Sequence, residues 1–306
     1  MRGLRGVFAK VGLAALGAMI SVQARADDLM GQPTPGAIGL QPAASSLKHH
    51  AIWFHDWLLL PIITFISLFV LALLLIIVVR FNSKANPVPA KFAHNTPLEI
   101  AWTLIPVAIL LVIAVFSFQF LFDYHRIPKP DVTVKVTGYQ WYWGYSYPDK
   151  KIDEYTSNVL TADAAKAAGK PYLLGTDNPL VVPVDKNVVV LVTGADVIHD
   201  WALPAFGLKT DAVPGRTNET WFKAEKVGTY YGQCDQLCGV NHAYMPIEIK
   251  VVSQPDFDAW VASKAPAAAP ASSAPAATSA AGAAAPAAPA PAAPQKVAMI
   301  AAPTLR

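Results

Sequence analysis

The chain has 306 residues, of which 54% are hydrophobic and only 15% charged; an ordinary soluble domain carries about 25% charged residues, so a plain cytosolic enzyme is excluded. The net charge of +3 averages unlike parts: Arg2, Arg5, Lys10 and Arg25 face no acid in the first 26 residues, whereas Asp123 to Ala262 holds 17 acids and 13 bases. The large polar segment is therefore acidic; it would repel nucleic acid and attract a basic protein.

Residues 1–26 read as a signal peptide, with a basic start, an apolar stretch from Val11 to Val22 and the small-residue pattern Ala24-Arg25-Ala26. Residues 27–50, rich in Gly, Pro, Gln and Ser, are expected to be an irregular segment outside the cytoplasm. The span 51–122 reads as a transmembrane hairpin. Trp57–Val79 and Ile100–Phe122 are each 23 residues without a charge, about 35 Å as helix against a hydrocarbon core of about 30 Å. Helices are expected over about 55–80 and 98–122. Pro61 falls in the first turns of one, and Pro106 lies deeper in the other, where a kink is expected. Trp53, Trp57 and Tyr124 suit the membrane boundary. Arg80, Lys84 and Lys91 between the runs face no acid, which places this short loop in the cytoplasm and both ends of the chain outside it.

From 123 to 262 the pattern becomes one of short β runs: Val132–Val136, Val181–Val184, Val188–Val192, Thr220–Phe222, Thr229–Tyr231 and Ile247–Val251, punctuated by Gly, Pro, Asn and Asp. Strands at this spacing predict an all-β sandwich or barrel. Residues 263–306 are Ala/Pro-rich, with 18 Ala and 7 Pro among the 30 residues from Ala265 to Pro294, and are expected to be an extended, disordered tail.

The stretch from Val132 to Ala262 contains two His, two Cys and one Met. Cys234, Cys238, His242 and Met245 fall within 12 residues, on a loop between a strand ending near Tyr231 and one starting near Ile247. His199 follows the strand Val188–Val192. Thiolate, imidazole and thioether together favour copper over hard cations. A Cys234–Cys238 disulfide explains neither the histidines nor Met245. A Cys2His2 zinc site leaves Met245 idle. A mononuclear blue-copper site leaves a thiolate over, and a pair of coppers bridged by both thiolates uses the full set. No Cys-x-x-Cys-His is present to attach a c-type haem.

These residues closely resemble subunit II of the haem-copper cytochrome c oxidases, over roughly Ala51 to Ala262. The resemblance implies a two-helix membrane hairpin followed by a periplasmic, cupredoxin-like Greek-key barrel or sandwich, in the bacterial inner membrane. It implies a dinuclear copper centre, CuA, held by His199, Cys234, Cys238, His242, Met245 and the backbone carbonyl of Gln236. The family usually has Glu at position 236, whose carboxylate also reaches a Mg2+ at the boundary with subunit I. The amide of Gln236 is a weaker, uncharged ligand for such a cation.

The run Gly138-Tyr-Gln-Trp-Tyr-Trp-Gly-Tyr145 also resembles the family, and the resemblance makes Trp141 the point where cytochrome c delivers its electron, the other rings being packing. Asp149, Asp153, Glu154, Asp177 and Asp196 are the candidate docking acids, the last matching a family position three residues before the histidine ligand. Glu99 matches a glutamate at the mouth of a proton path into subunit I; locally, Thr96-Pro-Leu-Glu99 reads as a helix-capping box. The stretch Gly207–Arg216 resembles the family's contact with subunit I. The implied function is electron entry into a terminal oxidase that reduces oxygen to water and translocates protons, with subunit I, other oxidase subunits and cytochrome c as partners. The alternatives are a quinol oxidase subunit, which lacks the copper loop, a membrane-anchored copper carrier, and nitrous oxide reductase, which carries an additional large domain.

Overall fold

The computed structural model describes residues 30–264; the expected signal peptide and nearly all of the Ala/Pro tail lie outside them. Helix α1 (Ser46–Trp53) passes through a widened turn of π-helix (Phe54–Leu59) into α2 (Leu60–Arg80). Helix α3 spans Thr96–His125. Both spans exceed the expected ones. The first begins about nine residues early because Ser45 caps it, its side chain accepting from the Lys48 amide. Pro61 consequently lies inside a long helix rather than at its start. Proline has no amide hydrogen to give, and in the turn before it the helix widens: the amide of Leu60 reaches the carbonyl of His55, five residues back. Helix α3 runs unbroken through Pro106. Leu68, Leu75, Val79, Leu104, Leu111 and Phe118 point outward, as side chains facing lipid do.

The remainder is a β-sandwich of two five-stranded sheets. The strands are β1 (Val132–Tyr139), β2 (Tyr142–Tyr147), β3 (Ile152–Ser157), β4 (Leu180–Pro183), β5 (Asn187–Gly194), β6 (His199–Leu203), β7 (Leu208–Ala212), β8 (Asn218–Lys223), β9 (Gly228–Cys234) and β10 (Pro246–Val252). One sheet has the order β3-β2-β1-β5-β8, the other β4-β10-β9-β6-β7. The β1–β5 and β4–β10 pairs are parallel. Alternate residues of β1 and β5 (Val132, Val134, Val136; Val188, Val190, Val192) enter the core, where Trp143, Trp201, Phe206, Phe222 and Tyr230 are fully buried. Each such large side chain contributes about 1.5–3 kcal/mol by leaving water. A short helix α4 (Ala162–Ala167) lies between β3 and β4, and α5 (Gln254–Lys264) closes the sandwich with Phe257 in its core.

The hairpin and the sandwich touch through α1 and the end of α3. Ser45 Oγ donates to the Phe206 carbonyl at 2.7 Å, and Tyr124 Oη donates to the Gly207 carbonyl at 2.5 Å. The indole nitrogen of Trp221 donates to the Asp123 carbonyl at 3.3 Å. Residues 44–48, expected to be irregular, are instead the seat of the β domain on the helices. At the other end of the hairpin, the cap of α3 is Asn95, one residue before the expected Thr96. Asn95 accepts from the Leu98 amide, while Glu99 accepts from the Asn95 amide at 3.1 Å. The reciprocal capping pair exists, displaced by one position.

Candidate metal centre

The site forms where β6 lies beside β9. Their register sets Trp201 opposite Cys234, so His199, two residues before Trp201, faces the turn that follows Cys234. Gly232 permits this pairing, since a Cβ there would collide with the Ala202 carbonyl oxygen. The loop from Cys234 then turns through Gly239 (φ +124°), a conformation that favours glycine, and through a single helical turn at His242–Tyr244 into β10.

Five side chains converge there. The Sγ atoms of Cys234 and Cys238 are 3.8 Å apart. His199 Nδ1 is 3.9 Å from Cys234 Sγ, and His242 Nδ1 is 3.6 Å from Cys238 Sγ. Met245 Sδ lies 3.4 Å from Cys238 Sγ, and the Gln236 carbonyl oxygen 3.3 Å from Cys234 Sγ. Both cysteines are free and buried, as are His199 and Met245. Among the described residues, His199, Cys234 and Cys238 form the one group of three His, Cys, Asp or Glu side chains whose donor atoms all lie within 4.8 Å of one another. The sulfurs stand well beyond the ~2.05 Å of a disulfide. Each carries an imidazole of its own, an arrangement with a thiolate, a ring nitrogen and a further donor on either side. This soft, two-sided donor set fits a pair of copper ions better than a single tetrahedral ion.

Charge is matched within the site. Burial opposes ionisation of Cys234, but contact with His199 and backbone hydrogen bonds outweigh it and hold its thiol pKa below the ordinary value. Burial likewise opposes protonation of His199, yet Cys234 and Asp196 together raise its pKa. Burial and the neighbouring Cys234 push the Cys238 thiol up to about 12, so the two sulfurs do not both ionise easily without a cation between them.

The other expected site residues divide. Trp141 lies against the metal loop, its indole nitrogen donating to the Cys238 carbonyl at 3.2 Å. Asp196 is exposed on one side but accepts from His199 Nε2 at 2.9 Å, from the Gln140 amide at 2.7 Å and from the Val197 amide at 2.7 Å. These bonds overcome the cost of its partial burial and lower its carboxyl pKa. Asp149 accepts from the Thr133 amide, Glu154 from Tyr139 Oη and Thr137 Oγ1, and Asp177 from Asn158. Asp153 is exposed. Glu99 lies at the far end of α3, remote from the metal loop along the 30-residue helix. The side chain of Gln236 is exposed.

Three residues of the site escape a reading of donor types. Gln140 Nε2 donates to the Cys238 carbonyl at 2.8 Å. Trp143 donates to the Met245 carbonyl, and Gly138 packs under His199. All lie in the aromatic run of the sequence, where ring count rather than polar contact drew notice.

Comparison with known proteins places the chain in context. Residues 132–252 match the family model for cytochrome c oxidase subunit II, periplasmic domain, and residues 33–120 match that for its transmembrane domain. Cytochrome c oxidase subunit 2 of Cereibacter sphaeroides is 48% identical over 258 residues, covering 79% of this chain and 84% of that one. A probable cytochrome c oxidase subunit 2 of Rickettsia bellii is 51% identical over 238 residues, covering 78% and 88%. The crystal structure of the periplasmic domain of subunit II of cytochrome oxidase of Bradyrhizobium japonicum aligns with TM-score 0.42 at 55% identity, covering 45% of this chain and 96% of that one.

Proposed function

The chain belongs to the cytochrome c oxidase subunit II family, and on that premise we propose that it receives electrons from reduced cytochrome c and passes them to the haem-bearing subunit I of a terminal oxidase. The observation that carries this reading is the convergence of Cys234, Cys238, His199, His242 and Met245, with Trp141 hydrogen-bonded to the loop between them. A copper pair held there, with the Gln236 carbonyl as a further ligand, would supply a one-electron relay whose charge is shared between two ions.

The chain's own residues perform the rest. Trp141 stands half-exposed at the rim of the site, with a hydrogen bond leading from its ring to the backbone of Cys238. An electron arriving at the indole therefore has a short bonded route inward. Asp196 holds His199 by its Nε2 and leaves Nδ1 to the metal, fixing both tautomer and ring orientation. The buried cysteines, His199 and Met245 exclude water from the ligands. Exposed acids on the β domain, Asp153 foremost because it is the least engaged internally, give a basic cytochrome c its approach. The cation-only loop between α2 and α3 supports a cytoplasmic loop and a periplasmic β domain. Glu99, at the cytoplasmic start of α3, offers a carboxylate where protons enter subunit I.

Metal analysis and electron paramagnetic resonance of the detergent-extracted assembly test this, combined with stopped-flow mixing with reduced cytochrome c. The expected result is a copper pair sharing one unpaired electron, reduced by cytochrome c at a rate that falls as salt rises. Zinc in place of copper, or a single copper, overturns it.

A further inference from the structure

The β1–β2 hairpin carries one rung unlike the others. Gly138 and Trp143 are direct partners across it, and both touch the donor set. Trp143 is fully buried. Its indole nitrogen donates to the Met245 carbonyl at 3.1 Å, and its ring meets that of His199 edge-on, with centroids 6.0 Å apart. Gly138 also lies against this imidazole. A Cβ at this position would stand 2.8 Å from His199 Cδ2 and 3.0 Å from Cγ. Gly138 lies in extended β1 and its φ is not positive; the backbone would accept another residue, and only the closeness of His199 requires glycine. The rung itself is held on its outer side, where Ala195 donates to the Gly138 carbonyl at 2.9 Å and β5 pairs Gly194 with Gly138.

We propose that the Gly138–Trp143 rung is a positioning element for the metal centre, setting the imidazole of His199 and the depth of the Met245 thioether through its carbonyl. The two donors are 46 residues apart in sequence, one at the start of β6 and the other at the end of the loop before β10, and Trp143 touches both residues. Met245 follows a loop with little regular structure and precedes Pro246, which has no amide hydrogen to bond. The indole thus supplies an anchor at the point where the loop re-enters β10. A weak thioether ligand would respond to small displacements more than a thiolate does, and weak donors of this kind tune the electronic structure of copper sites. Trp143 therefore acts on the metal through Met245 and His199, whereas Trp141 on the adjacent loop faces outward to the electron donor. The two tryptophans, separated by one residue, divide the work.

This inference rests on the copper reading above, and the test separates the two. Trp143→Phe keeps a ring and removes the N–H; Gly138→Ala adds one methyl group against His199. Both are made in the full chain, purified as the assembled oxidase, and compared with wild type for copper content, visible and paramagnetic resonance spectra, reduction potential of the copper centre, and KM for cytochrome c. The expected result is retained copper with a shifted spectrum and a shifted potential in both variants, KM unchanged, and slower onward electron transfer. Retained copper with wild-type spectrum and potential in both overturns the proposal. So does failure of both variants to accumulate, which would assign the rung to the core of the sandwich alone. Wild-type protein without copper instead removes the underlying reading.

Discussion

The indole nitrogen of Trp141 and the backbone carbonyl of Cys238 are hydrogen-bonded at 3.2 Å, although the residues lie 97 positions apart. Gln140 shares the same carbonyl at 2.8 Å, so the tip of the β1–β2 hairpin is tied to the metal loop by two donors. Replacing Trp141 by Ala removes the ring without removing any metal donor. Electron uptake from cytochrome c should fall about tenfold or more, equivalent to ~1.4 kcal/mol on the barrier, while the metal spectrum persists. Stopped-flow reduction beside a resonance spectrum of the same sample checks both halves; an unaltered uptake rate would remove Trp141 from the path.

Cys234→Ser and Cys238→Ser should each abolish the paired-copper signature, because each sulfur has its own imidazole partner and both are needed to bridge. Met245→Leu should leave copper bound with a changed spectrum, since a thioether is the weakest of the donors. Elemental analysis distinguishes these outcomes, and equal copper loss in all three would contradict the ranking.

Asp196→Asn tests whether this residue serves docking or the metal. Its three hydrogen bonds, one from His199, predict a loss of roughly 10–100-fold in metal retention against a chelator. The salt dependence of cytochrome c association should change little. Asp153→Asn should do the reverse, lowering the association rate with no change in metal retention. Parallel chelator competition and ionic-strength series read the two effects separately.

Glu99→Gln keeps an oxygen that can accept from the Asn95 amide, whereas Glu99→Ala loses it. The alanine variant should weaken the start of α3 by about 1 kcal/mol. A slowing of turnover common to both variants would belong to the carboxylate's charge; slowing in the alanine variant alone would mark Glu99 as a cap.

Glu248 on β10 is 3% exposed and is bonded to Lys170 Nζ at 2.9 Å and to the Thr176 amide at 2.6 Å. It fastens the excursion between β3 and β4 to the sheet that carries the metal loop. Glu248→Leu leaves the ammonium and the amide without their acceptor and should cost about 3 kcal/mol, read as a lower denaturation midpoint of the purified assembly.

The five convergent side chains were legible because soft donors are scarce here: Val132 to Ala262 holds two Cys, two His and one Met. The helices were legible from their uncharged runs, but their ends were not, since Ser45 and Asn95 cap by contacts that hydropathy does not register. Strands β2, β3, β6 and β7 escaped for different reasons. In β2 the aromatic density of Tyr142–Tyr147 masks alternation. All five residues of β6 are buried, so it has no polar face. Strands β3 and β7 lie at sheet edges and are mostly polar. His199 accordingly proved to begin a strand rather than to trail one. The bond between Asp196 and His199 follows from a three-residue spacing that the sequence displays but does not explain.

The chain order of the sandwich imposes a schedule on the assembly of this cluster of side chains. His199 leaves the ribosome well before Met245, and β10, which anchors the end of the loop, also completes the sheet by pairing with β4 and β9. Until that last strand is in place, the sulfurs have no scaffold to hold them apart from one another. The complete set of five side chains therefore exists only once β10 has joined the sheet.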